Sequence, residues 1–163
     1  MMYTTNCEKG ANFCQAKYFT IFVYYLTTLE LQLIDNIEDA IDAWIKSSDE
    51  NFDEMLDFYK IERNNWALFI GHLCIEKLLK AYHIKVHHKH SMNLHNLLRI
   101  AELSNLNLSK EQKADFATIT TFNISARYDD YKQTFYKKCT PEFTAIWIEK
   151  IKSYRLWIKE LLK

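Results

Sequence analysis

The chain has 163 residues, of which 48% are hydrophobic and 15% aromatic, but it has only two glycines and one proline. β-Sandwiches and phosphate-binding loops need many turn residues and glycines, so both classes are excluded and one all-α domain built from long helices is expected. Lys and Arg together number 21, as do Asp and Glu, so no net charge draws the chain toward nucleic acid or membrane. The four cysteines form no CxxC pair, which favours reduced thiols and a cytoplasmic location.

Residues 1–30 are aromatic-rich, poor in charge and weakly periodic, and are predicted to be an N-terminal appendage separate from a core over 31–163. The apolar stretch 18–29 is shorter than the roughly 20 residues that span a membrane. Glu30 follows it without a small-residue cleavage site, so neither a membrane span nor a signal peptide is expected.

Helical periodicity begins at Leu31, and Ser47-Ser-Asp-Glu50 has the form of a capping box, which predicts that a new helix starts there. Residues 31–62 hold ten acidic side chains against two lysines. The pattern is typical of a solvated acidic face, with a protein-docking surface as the alternative.

The next predicted helix, 63–86, is apolar over so wide an arc that it must be central in the fold or shared with a second subunit. Gly71 interrupts it, which favours close approach of another helix over a bound ligand. His72, Glu76 and Lys80 share one stripe of this helix. The stripe is interpreted either as exposed ion pairs or as a polar strip that meets phosphates or a neighbouring helix.

A polar loop over 87–94 contains His87, His88 and His90, but this set lacks the order of a specific metal site, and neither a metal nor a cofactor is predicted. Further helices are predicted over 95–104, from the capping box Ser109-Lys-Glu-Gln112, and from Thr140-Pro141-Glu142 to about Leu162. The expected architecture is an up-and-down bundle of four or five helices.

The segment 122–132, predicted to lie between two helices, concentrates aromatic, acidic and basic side chains. Arg127 has a planar guanidinium group whose N–H donors can bind a phosphate, and Tyr128 could stack on a base. Salt bridges from Arg127 to Asp129 or Asp130 are an equally good interpretation.

Three motifs in this order resemble the HEPN domain family, small all-helical proteins of bacteria, archaea and some animals. Glu76-Lys-Leu-Leu-Lys-Ala81 resembles the family's Glu-Lys-x-Leu-Lys-Ala, His95-Asn-Leu-Leu98 its His-Asp-Leu-x-x-Leu, and Ala126-Arg-Tyr-Asp129 its Ala-Arg-Tyr-Pro-Asp. The resemblance covers residues 31 to the C-terminus. It implies a helical bundle, commonly a homodimer, often encoded beside a small nucleotidyltransferase.

Many relatives are metal-independent ribonucleases or toxins with an Arg followed by four to six residues and a His. Here the three positions at which that His would fall after Arg127 hold Lys132, Gln133 and Thr134, so this Arg–His pair is missing. The leading hypothesis is therefore a binding module for a nucleotide, an RNA end or a nucleotidyltransferase. Its predicted site residues are Arg127, Tyr128, Asp129, Lys132, His72, Glu76, Lys80 and His95. The alternatives are a ribonuclease toxin of a toxin–antitoxin pair that uses His72 or His95, and a structural helical dimer.

Overall fold

In the computed structural model, the backbone is described for residues 11–89, 93–127 and 133–163, and the side chains for 36–89, 93–126 and 133–163. All regular elements in these ranges are helices, which confirms the all-α prediction. They are α1 (Ala11–Lys60), α2 (Asn64–His87), α3 (Leu97–Leu103), α4 (Lys110–Arg127), α5 (Thr134–Lys138) and α6 (Pro141–Leu162).

The chain divides into two compact units, residues 1–36 and 37–163. The first unit contains the beginning of α1. The side chains of residues 1–30 lie outside the described residues, so the appendage stays a prediction. Among the described residues, no helix has an apolar stretch long enough to cross a bilayer.

In the second unit, α2 is the central helix and packs against α3, α4 and α6. Asn64, at its start, donates to the carbonyl of Cys139 just before α6, and Lys85, near its end, donates to the carbonyl of Leu161. Helices α2 and α6 are therefore parallel. The neighbours of α2 within one chain explain its wide apolar arc without a second subunit.

Gly71 lies where α1 and α6 both pack closely against α2. A Cβ built on Gly71 would lie 2.7 Å from Cδ1 of Ile151 and 2.9 Å from Sδ of Met55. Because both neighbours are fully buried, the space is filled by protein. The interpretation of Gly71 as a helix-packing position is confirmed.

The predicted helix start at Ser47 is wrong, because α1 continues without a break to Lys60. The Ser48 hydroxyl donates to the carbonyl of Cys74 at 2.9 Å, and the Ser47 hydroxyl accepts from Nζ of Lys77 at 2.7 Å. Both hydroxyls thus bind α2 instead of capping a helix.

The helix starts predicted at Ser109 and Thr140 are confirmed, whereas α3 begins at Leu97, two residues after the predicted start. The backbone N–H of Ser109 donates to Oε1 of Gln112, and the backbone N–H of Gln112 donates to the Ser109 hydroxyl. The Thr140 hydroxyl accepts from the amide of Phe143 at 3.2 Å, directly before Pro141. Ser109 and Gln112 thus form a reciprocal capping box, and Thr140 forms a single N-cap bond. Both arrangements satisfy free backbone amides at a helix N-terminus.

The end of α4 and the presence of α5 differ from the prediction. Helix α4 extends to Arg127, so residues 122–127 are helical and Phe122 is fully buried, not in a connection. The short helix α5 was not predicted at all.

Candidate functional site

The polar stripe of α2 is a buried cluster around the carboxylate of Glu76. Nε2 of His72 lies 3.0 Å from one carboxylate oxygen and Nζ of Lys80 lies 2.8 Å from the other. All three side chains are at least nine-tenths buried, so the alternative of exposed ion pairs is wrong. The spacing of four residues stacks them on one face of the helix, as predicted.

His95 joins this cluster from the connection before α3. Its Nδ1 lies 3.1 Å from each oxygen of Glu76. Asn96 caps α3 by accepting from the amide of Arg99, and the amide of Leu97 donates to the hydroxyl of Thr120 on α4. These two hydrogen bonds hold the connection in place and so fix the position of His95.

The His95 ring presents its other nitrogen outward. A carboxylate only accepts, so Nδ1 carries the proton and Nε2 has no partner among the described residues. The side chain is 56% exposed, whereas that of Glu76 is almost fully buried. Within the cluster, His95 is therefore the residue that can contact a ligand.

The charge of Glu76 is stabilised from several sides. Burial raises the pKa of Glu76, but hydrogen bonds from His72 and Lys80 and their positive charge outweigh it and hold the pKa at about 2. The carboxylate is thus ionised at neutral pH and cannot act as a proton donor there.

His72 and Lys80 support the carboxylate from the interior. His72 is fully buried, and its Nδ1 has no hydrogen-bond partner among the described residues. Nζ of Lys80 also lies 5.1 Å from the ring centroid of Trp44 on α1, a cation–π distance. Both side chains are more than nine-tenths buried, so their role is to position Glu76 and, through it, His95.

The remaining predicted site residues belong to the end of α4 and to the segment that follows it in the sequence. Arg127 is the last residue of α4 and its side chain is outside the described residues, as are Tyr128, Asp129 and Lys132. Arg127 lies seven residues beyond Thr120, about 10 Å along α4. Since Thr120 binds the amide of Leu97, α4 passes beside the His95 connection on its way to Arg127.

A second polar feature, which the sequence analysis missed, is a surface groove of about 560 Å³ between α4 and α6. Asp115 at its base accepts from Nζ of Lys150 at 2.6 Å and from the hydroxyl of Tyr154 at 2.7 Å. Burial and the hydrogen bond to Asp115 raise the pKa of Tyr154. No motif signals this contact, because its partners lie far apart in sequence.

The described residues contain no group of three or more His, Cys, Asp or Glu side chains arranged to hold a metal ion. Of the predicted histidine loop, His87 belongs to α2, His88 follows it, and His90 lies outside the described residues.

The described residues thus form an all-α bundle with a buried Glu–Lys–His cluster on its central helix. The family model of the HEPN domain matches residues 41–161, which include α2 to α5 and nearly all of α6. The chain therefore belongs to the HEPN domain family. Comparisons with curated proteins and with solved structures found no match.

Proposed function

We propose that this HEPN domain is a non-catalytic binding module for a phosphate-bearing ligand, either a nucleotide or an RNA end. The observation that carries the proposal is the exposed His95 ring, which the buried carboxylate of Glu76 holds with Nε2 outward. Nε2 can donate to a phosphate oxygen when protonated or hydrogen-bond a base edge when neutral.

Arg127 supplies the second contact in this proposal. Its guanidinium would bind two phosphate oxygens at once, and Tyr128, Asp129 and Lys132 follow it in the chain. Binding is favoured over cleavage because no His follows Arg127 at the spacing used by ribonucleases of the family. Gln133 and Thr134, at two of those positions, form the start of α5.

Thermal unfolding with a panel of nucleotides and short 5′- and 3′-phosphorylated RNAs tests this proposal. A ligand at 100 times its dissociation constant stabilises the wild type by about 2.7 kcal/mol. We expect the stabilisation to be lost in His95→Gln and Arg127→Ala. It should persist in His88→Gln and Arg99→Ala, which alter exposed residues of the same types. Absence of any stabilisation, or equal stabilisation of all variants, would contradict the proposal.

The second candidate function is a metal-independent ribonuclease toxin of a toxin–antitoxin pair. The contact between Glu76 and His95 favours it, because a carboxylate on Nδ1 orients a histidine so that Nε2 can accept a proton. Nε2 would take the proton of a ribose 2′-hydroxyl, and Arg127 would stabilise the charge of the phosphorane. His72 is excluded from this role because it is fully buried.

RNA cleavage in EDTA distinguishes the two functions. Wild-type protein that produces 2′,3′-cyclic phosphate ends, with the activity lost in both His95→Gln and Arg127→Ala, would establish the ribonuclease. Binding without cleavage would establish the binding module.

We further propose that the chain forms a homodimer and pairs with a small nucleotidyltransferase. Large apolar side chains on α4 and α6, namely Ile124, Ile146 and Leu156, are each more than half exposed and support an interface. Light scattering should give a dimer mass, and a chain that stays monomeric at tens of micromolar would argue against the homodimer. Loss of nucleotide binding after mutation of Arg127 would argue against a purely structural dimer.

A further inference from the structure

Two histidines outside the candidate site lie one turn apart at the C-terminal end of α2. His83 and His87 have the spacing of four residues that places both rings on one face of the helix. Their ring centroids are 4.6 Å apart, with an angle of 45° between the planes. The function proposed above uses neither residue.

Hydrogen bonds fix which nitrogen of each ring carries the proton. The Ser104 hydroxyl donates to the carbonyl of Ile100 at 2.7 Å, so at 3.1 Å it accepts from Nδ1 of His83. Nε2 of His87 lies 2.8 Å from the carbonyl of Leu103, which can only accept. Nε2 of His83 and Nδ1 of His87 are therefore the nitrogens with free lone pairs.

These two nitrogens are open to a ligand. Neither has a partner among the described residues, and neither is among their fully buried unpartnered polar atoms. Nζ of the neighbouring Lys85 is bound to the carbonyl of Leu161 on α6.

The arrangement has the features of a metal-binding histidine pair. Histidines that bind metals usually donate their second N–H to a protein oxygen, which orients the ring. Two imidazoles on one ion, with metal–nitrogen distances of about 2.1 Å and an angle of about 90–100° between the two bonds, have centroids about 4.5–5 Å apart. The observed separation matches this range.

We propose that His83 and His87 together bind one divalent transition-metal ion of the type that prefers imidazole, namely Cu²⁺, Ni²⁺ or Zn²⁺. Water completes the coordination. Because both rings are hydrogen-bonded to residues at the end of α3, the bound ion fastens the end of α2 to the end of α3.

Calorimetric titration of the untagged, metal-free full chain with NiCl₂ tests the site. We expect one ion per chain in the wild type, and affinity at least about tenfold weaker in His83→Gln and in His87→Gln. His88→Gln, which changes the adjacent exposed histidine, should bind like the wild type. Equal affinity in wild type and in both site variants would overturn the proposal.

A second measurement uses only the wild type, so its result does not depend on whether the variants fold. The electron paramagnetic resonance spectrum of the chain with one equivalent of Cu²⁺ should show hyperfine coupling to two imidazole nitrogens. A spectrum without two such nitrogens would overturn the proposal.

Discussion

At the scale of single residues, Glu76 determines the state of its neighbours. His72, Lys80 and His95 all direct a polar hydrogen at its carboxylate. Replacing Glu76 with Gln removes the negative charge and leaves the ammonium of Lys80 buried without a counter-ion. We expect Glu76→Gln to lower the free energy of unfolding by about 3–5 kcal/mol, measured by urea denaturation at pH 7.

The matched control is Asp49→Asn. Asp49 on α1 also accepts hydrogen bonds from two cations, Arg155 and Lys159 of α6, but its side chain is 39% exposed. Solvent weakens such a pair, so this change should cost about 1 kcal/mol or less. Equal losses in the two variants would show that burial of the Glu76 cluster has no special importance.

Acid unfolding reports on the same carboxylate. The pKa of Glu76 falls from 4.5, its ordinary value, to about 2 in the folded chain. A lowered folded-state pKa contributes stability that is complete above the unfolded-state pKa and is lost as pH falls toward the folded-state pKa. The stability difference between wild type and Glu76→Gln should therefore be constant above about pH 5 and shrink between pH 4.5 and 2. A difference that stays constant down to pH 2 would contradict the lowered pKa.

Part of this cluster could be predicted from the sequence. Helical spacing is enough to align His72, Glu76 and Lys80, but it does not show which side of the helix is buried, and charged side chains are most often exposed. The contact with His95 depends on how a loop 19 residues further along the chain folds back, which no local pattern encodes.

At the scale of helices, similar capping sequences start a helix at Ser109 and Thr140 but not at Ser47. Ser109 and Thr140 follow irregular segments, so their hydroxyls are free to cap. Ser47 lies where the apolar positions on either side, such as the partly buried Ile45 and the fully buried Met55, pack against one core. Continuing the helix keeps those contacts, and α2 offers partners to the hydroxyls.

The crossing at Gly71 gives a prediction about packing. We expect Gly71→Ala to lower stability, because overpacking costs about 1–3 kcal/mol and exceeds the helix-propensity gain of up to about 1 kcal/mol. The nearest atom to the added methyl is Cδ1 of Ile151, which Ile151→Val removes. The double variant should therefore be more stable than the sum of the single changes predicts, measured by urea denaturation as a double-mutant cycle. Strict additivity would show that Ile151 moves aside without cost.

At the scale of the whole chain, the acidic and basic residues lie in different segments, and these segments contact each other. The acidic segment of α1 meets basic residues of α6 through Asp49, while Glu38, Asp39 and Asp42 remain exposed. The zero net charge is thus the sum of an acidic helix and a basic remainder that contact each other. Because these acidic side chains are exposed, a protein-docking surface on the acidic segment of α1 stays a prediction.

The bundle could be predicted because scarce glycine and proline force long helices, whose apolar periodicity is strong. Helix α5 could not, since five residues are too few to show a period.

The division at residue 36 predicts that the second unit folds alone. The hydrophobic core of the described chain draws on residues between Ile45 and Leu162, and the HEPN match begins at residue 41. A chain of residues 37–163 should therefore keep its helical circular dichroism and unfold in one cooperative thermal transition. The control, residues 61–163, removes α1 and with it the cover that Met55 gives to Gly71 and the hydrogen bond from Ser48 to Cys74. It should fail to unfold cooperatively, and a cooperative transition in the control, or its absence in 37–163, would place the boundary of the folding unit elsewhere.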